Sequence, residues 1–328
     1  PAMPCRHHAG AAGPAARKKP RLELADIFRL HGDDFRRAYK PPGYQLRLMG
    51  AIERCRTAAL GGHLERCDCC GFEKPAYNSC RNRHCPKCQG LDKERWLQAR
   101  RAEVLPVGYF HVVFTLPHEL NALILANKRL LLKILFDAAA QTLLTFGYNN
   151  LGGKTGFITL LHTWDQMLNA HFHLHCLVPA GVLSENGGRW ISAPENFLFP
   201  VRALAKVFRG KYTSFLLQAF AGAELIFPGQ AAQFHAKTGF SGLIAQIRQK
   251  RWVVYAKPPF GGPDKVLDYL GRYTHRVAIS NNRILNVENG SVTFSIRDRA
   301  DGNKRKILTL PAEEFIRRFL LHSLPSAF

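Results

Sequence analysis

Residues 169–181 read NAHFHLHCLVPAG, and the rest of the chain is best read outward from them. His171, His173 and His175 alternate with Phe172 and Leu174 and lead into the apolar run Cys176-Leu177-Val178-Pro179. A period of two is the signature of a β-strand, whose successive side chains point to opposite faces, so the imidazoles share one face. Neutral imidazoles held side by side are a natural start for a divalent metal site. His171 and His175 lie roughly 13 Å apart along the strand, too far to wrap one ion comfortably. His173 and His175 are therefore the expected pair, with a third ligand from a neighbouring element. Gln166 and Asp165 in the preceding turn are candidates, and His162 is another. Two imidazoles, one oxygen ligand and open positions suit Mg²⁺ or Mn²⁺ acting as a Lewis acid, and Zn²⁺ also fits such a site.

Around this strand the pattern predicts α+β. YFHVVFTLP (109–117), GFITLLHTW (156–164) and WVVYAK (252–257) read as strands. Residues 165–169 are short enough for a hairpin between two of them. RWISAP adds a short strand, and RVAIS, RILNV, SVTFSI and KILTLP follow near the end. Helical spacing covers 22–39, 44–59, 91–104, 119–146 with an interruption, 201–225, 239–249, 265–275 and 312–321. Antiparallel strands with helices between them argue against a doubly wound parallel sheet. GYNNLGGKTG (147–156) resembles a phosphate-binding loop, but Tyr148 stands where that loop needs Gly and the segment follows a helix. An ATPase is excluded on that ground.

Length and charge narrow the partners. The 328 residues suggest roughly two domains. Forty-six Lys and Arg against 24 Asp and Glu leave a net charge of +22, which points to a polyanion, nucleic acid first. The longest apolar stretch, 120–146, is broken by Lys128, Arg129 and Lys133, so no membrane partner is expected. Residues 1–21 are rich in Ala, Gly and Pro and end in basic residues, which reads as a disordered tail. The start lacks an apolar signal-peptide core, so a reducing cytoplasm is expected.

Six of the nine cysteines crowd into CDCCGFEKPAYNSCRNRHCPKC, residues 67–88. Cys67-x₂-Cys70 and Cys85-x₂-Cys88 form two knuckles, each offering two thiolates, and together predict a structural Zn²⁺ site. Cys80 and His84, with His63 and Cys55, are left over for a second ion, or for Cys80 and His84 to replace members of the first set. Arg81, Arg83 and Lys87 stud this loop as candidate phosphate contacts. Downstream, DYLGRYTHR places Tyr269 and Tyr273 four residues apart, on one face of a helix, beside Arg272, His275 and Arg276. A nucleophilic phenol needs nearby positive charge, because its ordinary pKa is about 10. Paired tyrosines and a histidine metal site together suggest phosphodiester chemistry through a protein–DNA bond.

At this point the motifs match a family. CRTAALGGH (55–63), CDCCG (67–71), YNSCRNRHCPKCQ (77–89), FTLP (114–117), HTWDQMLNAHFHLHCLVPAG (162–181), YLGRYTHRVAISNNRI (269–284) and TLPAEEFIRRFLLH (309–322) resemble the rolling-circle transposases of the insertion sequence 91 type, within the HUH endonuclease superfamily. The resemblance covers nearly all of residues 40–325. Phe172 stands where many members have Pro, and members commonly extend past the final helix with a further basic segment. The resemblance implies an HUH-type central antiparallel sheet flanked by helices, preceded by a small helical zinc-binding domain. The expected division is a basic tail over 1–21, a zinc-binding DNA-contact domain over 22–104 and a catalytic domain over 105–328.

It also implies a mechanism. His173 and His175 carry the catalytic Mg²⁺ or Mn²⁺. Tyr269 and Tyr273 attack phosphorus and form a 5′-phosphotyrosine, and Cys67, Cys70, Cys85 and Cys88 hold zinc. The substrate is single-stranded or locally melted DNA at the element ends, tracked by Arg272, Arg276, Arg283, Arg297 and Arg299. The expected setting is a bacterial cytoplasm, at the nucleoid. The alternatives are a plasmid replication initiator or relaxase, and a degenerate transposase that binds DNA through zinc without catalysis.

Overall fold

The computed structural model describes residues 22–260, 265, 271, 278–298 and 301–324. The basic tail expected over 1–21, and the helix expected over 265–275 apart from Lys265 and Gly271, lie outside the described residues, Tyr269 and Tyr273 included. The fold is α+β with antiparallel sheets. It divides into two compact units, Lys93–Arg276 with Leu324–Phe328, and Pro1–Asp92 with Val277–Ser323.

The larger unit is built on four antiparallel strands: β3 (Tyr109–Thr115), β5 (Ile158–Trp164), β6 (Ala170–Pro179) and β9 (Val254–Phe260). Their spatial order is β5-β6-β3-β9. Alternation sorts their side chains as the sequence demands. Phe110, Val112 and Phe114 of β3 and Phe172, Leu174, Cys176 and Val178 of β6 join the main core. Burying such side chains stabilises by about 1.5–3 kcal/mol each. Helices α5 (Lys128–Phe146) and α6 (Val201–Ala221) cover that face, with Phe208 of α6 4.8 Å from Phe114 between ring centroids. Residues 128–151 are long and apolar enough to cross a membrane by composition, but α5 buries Leu131, Leu132, Leu135 and Leu143 in the core.

The expected long helix over 119–146 is split at Asn127 into α4 (Asn121–Ala126) and α5. Asn127 leaves helical geometry, and its amide donates to the carbonyls of Leu123 and Ile226 while its oxygen accepts from the Ile226 N–H. The β5–β6 turn is stapled by Asp165, whose carboxylate accepts the N–H groups of Met167 and Asn169 and the Asn169 side chain. The loop resembling a phosphate cradle is a packing feature. Gly153 in β4 (Gly153–Lys154) lies against β7 (Gly181–Ser184), and a Cβ there would sit 2.3 Å from the Leu183 carbonyl oxygen. A third small strand, β8 (Trp190–Ser192), completes this sheet.

In the other unit, α1 (Leu24–Tyr39) and α2 (Gly43–Arg54) pack with the last helix, α8 (Ala312–Leu321), and Phe28 meets Phe319 at 5.7 Å. The sheet β10-β11-β12 (Ile284–Glu288, Ser291–Asp298, Lys304–Pro311) rests on α8 through Phe294 and Phe315. Asn281 accepts the first N–H of α1, from Leu24, across 257 positions of sequence. The end of the chain thus folds with its beginning, and the boundary expected at 104/105 falls inside the larger unit. Residues 278–280 of the expected RVAIS strand form a bend, not a strand. A hairpin, β1 (Gly62–Arg66) with β2 (Glu73–Tyr77), precedes α3 (Gln89–Arg101).

Candidate metal centres and nucleic-acid interface

The face of the four-stranded sheet opposite the helices carries the histidines. In register, His162 of β5 stands opposite His173 of β6, and Leu160 and Val113 flank His175. The ring nitrogens of His162, His173 and His175 come within 4.8 Å of one another, and all three residues are buried. His162, across the hairpin from His173, is therefore the candidate third ligand that the register brings to the pair. Gln166, the oxygen donor favoured on sequence, lies half-buried in the adjoining turn, while the Asp165 carboxylate is spent on stapling that turn. His171 stays beside His173, with ring centroids 4.8 Å apart, but outside the triad, as strand spacing requires.

Hydrogen bonds set which nitrogens face a cation. His173 Nδ1 is 3.0 Å from the His171 carbonyl, an obligate acceptor. That nitrogen must donate, which leaves the Nε2 lone pair for coordination. His175 Nδ1 is 2.8 Å from His111 Nε2, with the two rings almost parallel at 8°. His111 is a residue at the candidate site that sequence reasoning misses, and its only signal there is its alternation within FHVVFT. Burial, together with the charge of Lys257 opposite it in register on β9, pushes its pKa down to about 4. A neutral His111 can accept a hydrogen bond from His175 Nδ1, the tautomer that leaves the His175 Nε2 lone pair available to a metal.

A second cluster gathers Cys55, Cys80, Cys85 and Cys88, their sulfurs all within 4.8 Å. Cys80 and Cys88 lie 3.7 Å apart, close to the ~3.8 Å edge that four 2.3 Å Zn–S bonds give a tetrahedron. Cys55 caps α2 and Cys80 follows β2; the hairpin brings them together, with the Cys80 N–H 3.5 Å from Cys55 Sγ. This corrects the expected pairing of Cys67 and Cys70 with Cys85 and Cys88. Those two residues sit at the tip of the hairpin, five strand residues from its base and so ~17 Å away, outside the four-sulfur group. Cys80 joins the group and His84 does not.

The charge state of these thiols shows why the cluster wants a dication. A hydrogen bond from Cys85 holds the Cys80 thiol down at about 5. The same hydrogen bond and burial push Cys85 well up, and burial with the Cys80 charge raises Cys88 to about 11. One thiolate here suppresses the ionisation of its neighbours, a conflict that a bound Zn²⁺ removes.

The expected DNA contacts divide. Arg81 and Arg83 are exposed on the cysteine loop. Lys87 instead pairs with Glu23 at 2.7 Å and is mostly buried. Arg283 directs its guanidinium to the carbonyls of Ser295 and Ala278 and over the Phe294 ring, so its part is to hold β11 in place. Arg297 is exposed on β11. Tyr269, Tyr273, Arg272, Arg276 and Arg299 lie outside the described residues.

Residues 156–328 match the family described as "Putative transposase", and residues 27–116 match the "Transposase zinc-binding domain" family. A "Putative transposase y4qJ" of Sinorhizobium fredii (strain NBRC 101917 / NGR234) is 49% identical over 93% of this chain and 78% of its own length. The "Transposase for insertion sequence element IS801" of Pseudomonas savastanoi pv. phaseolicola is 30% identical over 72% of this chain and 56% of its own length. No solved structure matches. The chain belongs to the transposases of the insertion sequence 91 family, with their zinc-binding domain and therefore a DNA partner.

Proposed function

We propose that this transposase cuts and rejoins single-stranded DNA through a 5′-phosphotyrosine intermediate, in rolling-circle transposition. The observation that carries this reading is the buried triad of His162, His173 and His175 on one sheet face, oriented from behind by His111. Three imidazole nitrogens suit Mn²⁺ better than the all-oxygen preference of Mg²⁺. A cation held there by His162, His173 and His175 would supply Lewis acidity to the scissile phosphate.

The protein's own residues do the remaining work. The oxygen of Tyr269 or Tyr273 attacks phosphorus as the phenol loses its proton. The P–O3′ bond breaks, and the departing 3′ oxygen takes up a proton. One phosphodiester replaces another, so the step needs no ATP. The second tyrosine permits another cleavage before the first adduct is resolved. Resolution is the reverse attack by a free 3′-hydroxyl. Arg81, Arg83, Arg272, Arg276 and Arg297 hold the strand by its phosphates. Zinc at Cys55, Cys80, Cys85 and Cys88 is closed to substrate and organises the loop that carries Arg81 and Arg83.

The test is incubation of the protein with labelled single-stranded DNA from an element end and Mn²⁺, followed by a denaturing gel. A covalent band is expected, lost in Tyr269→Phe/Tyr273→Phe and in His173→Ala. DNA binding with no covalent band under any metal would overturn the nuclease reading and leave a DNA-binding protein.

A further inference from the structure

The helical side of the larger unit carries a basic cleft that the proposed chemistry does not use. It has a volume of about 350 Å³ and is lined by Arg202, Lys206 and Arg209 of α6, by Arg251, and by Ala205 and Trp252. Arg251 follows α7 (Lys237–Gln249). Trp252 forms the floor, buried against Phe208 and Tyr212. Helix α6 covers the sheet face opposite the histidines, so this cleft and the triad open on different sides of the unit.

We propose that this cleft binds the sugar–phosphate backbone of nucleic acid at a second place on the protein, away from the cutting site. Arg202, Lys206 and Arg209 stand at i, i+4 and i+7, a single stripe along the helix. Helical rise separates Arg202 from Lys206 by about 6 Å along the axis, comparable with the step between successive phosphates. No carboxylate lines the cleft, and among the described residues none of Arg202, Lys206 and Arg251 forms an ion pair. Arg209 donates from Nη1 to the carbonyls of Arg248 and Lys250 at 2.8 and 3.0 Å, which fixes the guanidinium and leaves the Nε and Nη2 donors for a ligand.

The placement of charge is unfavourable without an anion. Arg202 lies in the first turn of a 21-residue helix that has no acidic residue there and no side-chain cap. The positive end of the helix dipole and three neighbouring cations repel one another at this spot. A phosphate backbone relieves both repulsions. Two binding places on opposite sides let one chain hold flanking duplex while a melted strand occupies the histidine face. Only the class of partner is taken from the transposase reading.

The test uses the full chain with a random-sequence duplex long enough to span the molecule, and reads the dependence of affinity on salt. Replacing Arg202→Glu and Lys206→Glu should lower the slope of log affinity against log salt by about 2, near one for each phosphate no longer neutralised. The same pair should leave thermal stability equal or higher, since acidic residues suit the first turns of a helix. Arg202→Gln/Lys206→Gln, which only neutralises, should act in the same direction. An unchanged slope in both variants overturns the proposal. An unchanged slope with loss of binding to phosphatidylglycerol vesicles overturns it in favour of a membrane surface. Covalent adduct formation on a short single strand is scored separately: its absence in the unaltered protein fails the nuclease reading, while a reduced slope still upholds the cleft.

Discussion

His111 Nε2 and His175 Nδ1 lie 2.8 Å apart on adjacent strands, their rings within 8° of parallel. This pairing leaves His175 Nε2 as the nitrogen free to meet a metal if His175 Nδ1 is the donor. Replacing His111→Leu removes the acceptor and should weaken Mn²⁺ binding by about 10- to 100-fold, the usual effect of losing such an orienting partner. His111→Gln keeps an acceptor and should retain more affinity. Calorimetric titration with Mn²⁺ measures both, and equal affinity in all three proteins would refute the orienting role.

His162 is the third imidazole that the fold brings to His173 and His175. His162→Ala should abolish Mn²⁺ binding as thoroughly as His173→Ala, whereas Gln166→Ala should keep most of it. The electron paramagnetic resonance signal of bound Mn²⁺ distinguishes nitrogen from oxygen ligands. A greater loss in Gln166→Ala than in His162→Ala would return the third position to the turn.

Zinc content separates the two readings of the cysteines. Cys55→Ser and Cys80→Ser should empty the four-sulfur centre and lower the melting temperature, because a structural zinc contributes directly to folding. Cys67→Ser should leave that centre filled. Atomic emission on purified protein gives the answer, and loss of zinc in Cys67→Ser equal to that in Cys55→Ser would restore the hairpin tip as a ligand source.

Glu314 joins Arg317 and Arg318 at 2.6 Å on α8, and these hydrogen bonds, Arg317 foremost, hold its carboxyl at about 2. Its folded pKa is depressed, so its contribution is fully present above about 4.5 and lost as pH falls towards 2. Glu314→Gln should cost ~1 kcal/mol at neutral pH, discounted for partial exposure, and markedly less at pH ~2, where the folded carboxyl is half protonated. Denaturant midpoints at the two pH values test this, and an equal cost at both would show that packing, not charge, is removed.

Much of the larger unit is legible in the sequence because its signals are local. Alternation in 170–179 specifies both a strand and its imidazole face, and a five-residue turn allows only the hairpin that follows. The last helix, 312–321, begins after Pro311 with Glu313 and Glu314 in its first turn. The zinc ligands mislead for a physical reason. Two CxxC spacings look self-sufficient in one dimension, yet a β-hairpin carries Cys67 and Cys70 to its tip and returns Cys80 to Cys55 at its base. Lys87 and Arg283 look like phosphate contacts because sequence shows a charge but not the carboxylate or carbonyl it meets.

By itself, then, the sequence determined the α+β class, the histidine strand, the wealth of thiols and the polyanion partner, since period, spacing and net charge are properties of the chain. Only the tertiary structure decided which groups meet: His162 and His111 with His175, Cys55 with Cys80, Asn281 with Leu24. Coordination and hydrogen bonding act over a few ångströms, and separations of 13 to 257 positions close to that range only when strand register and helix packing bring the elements together.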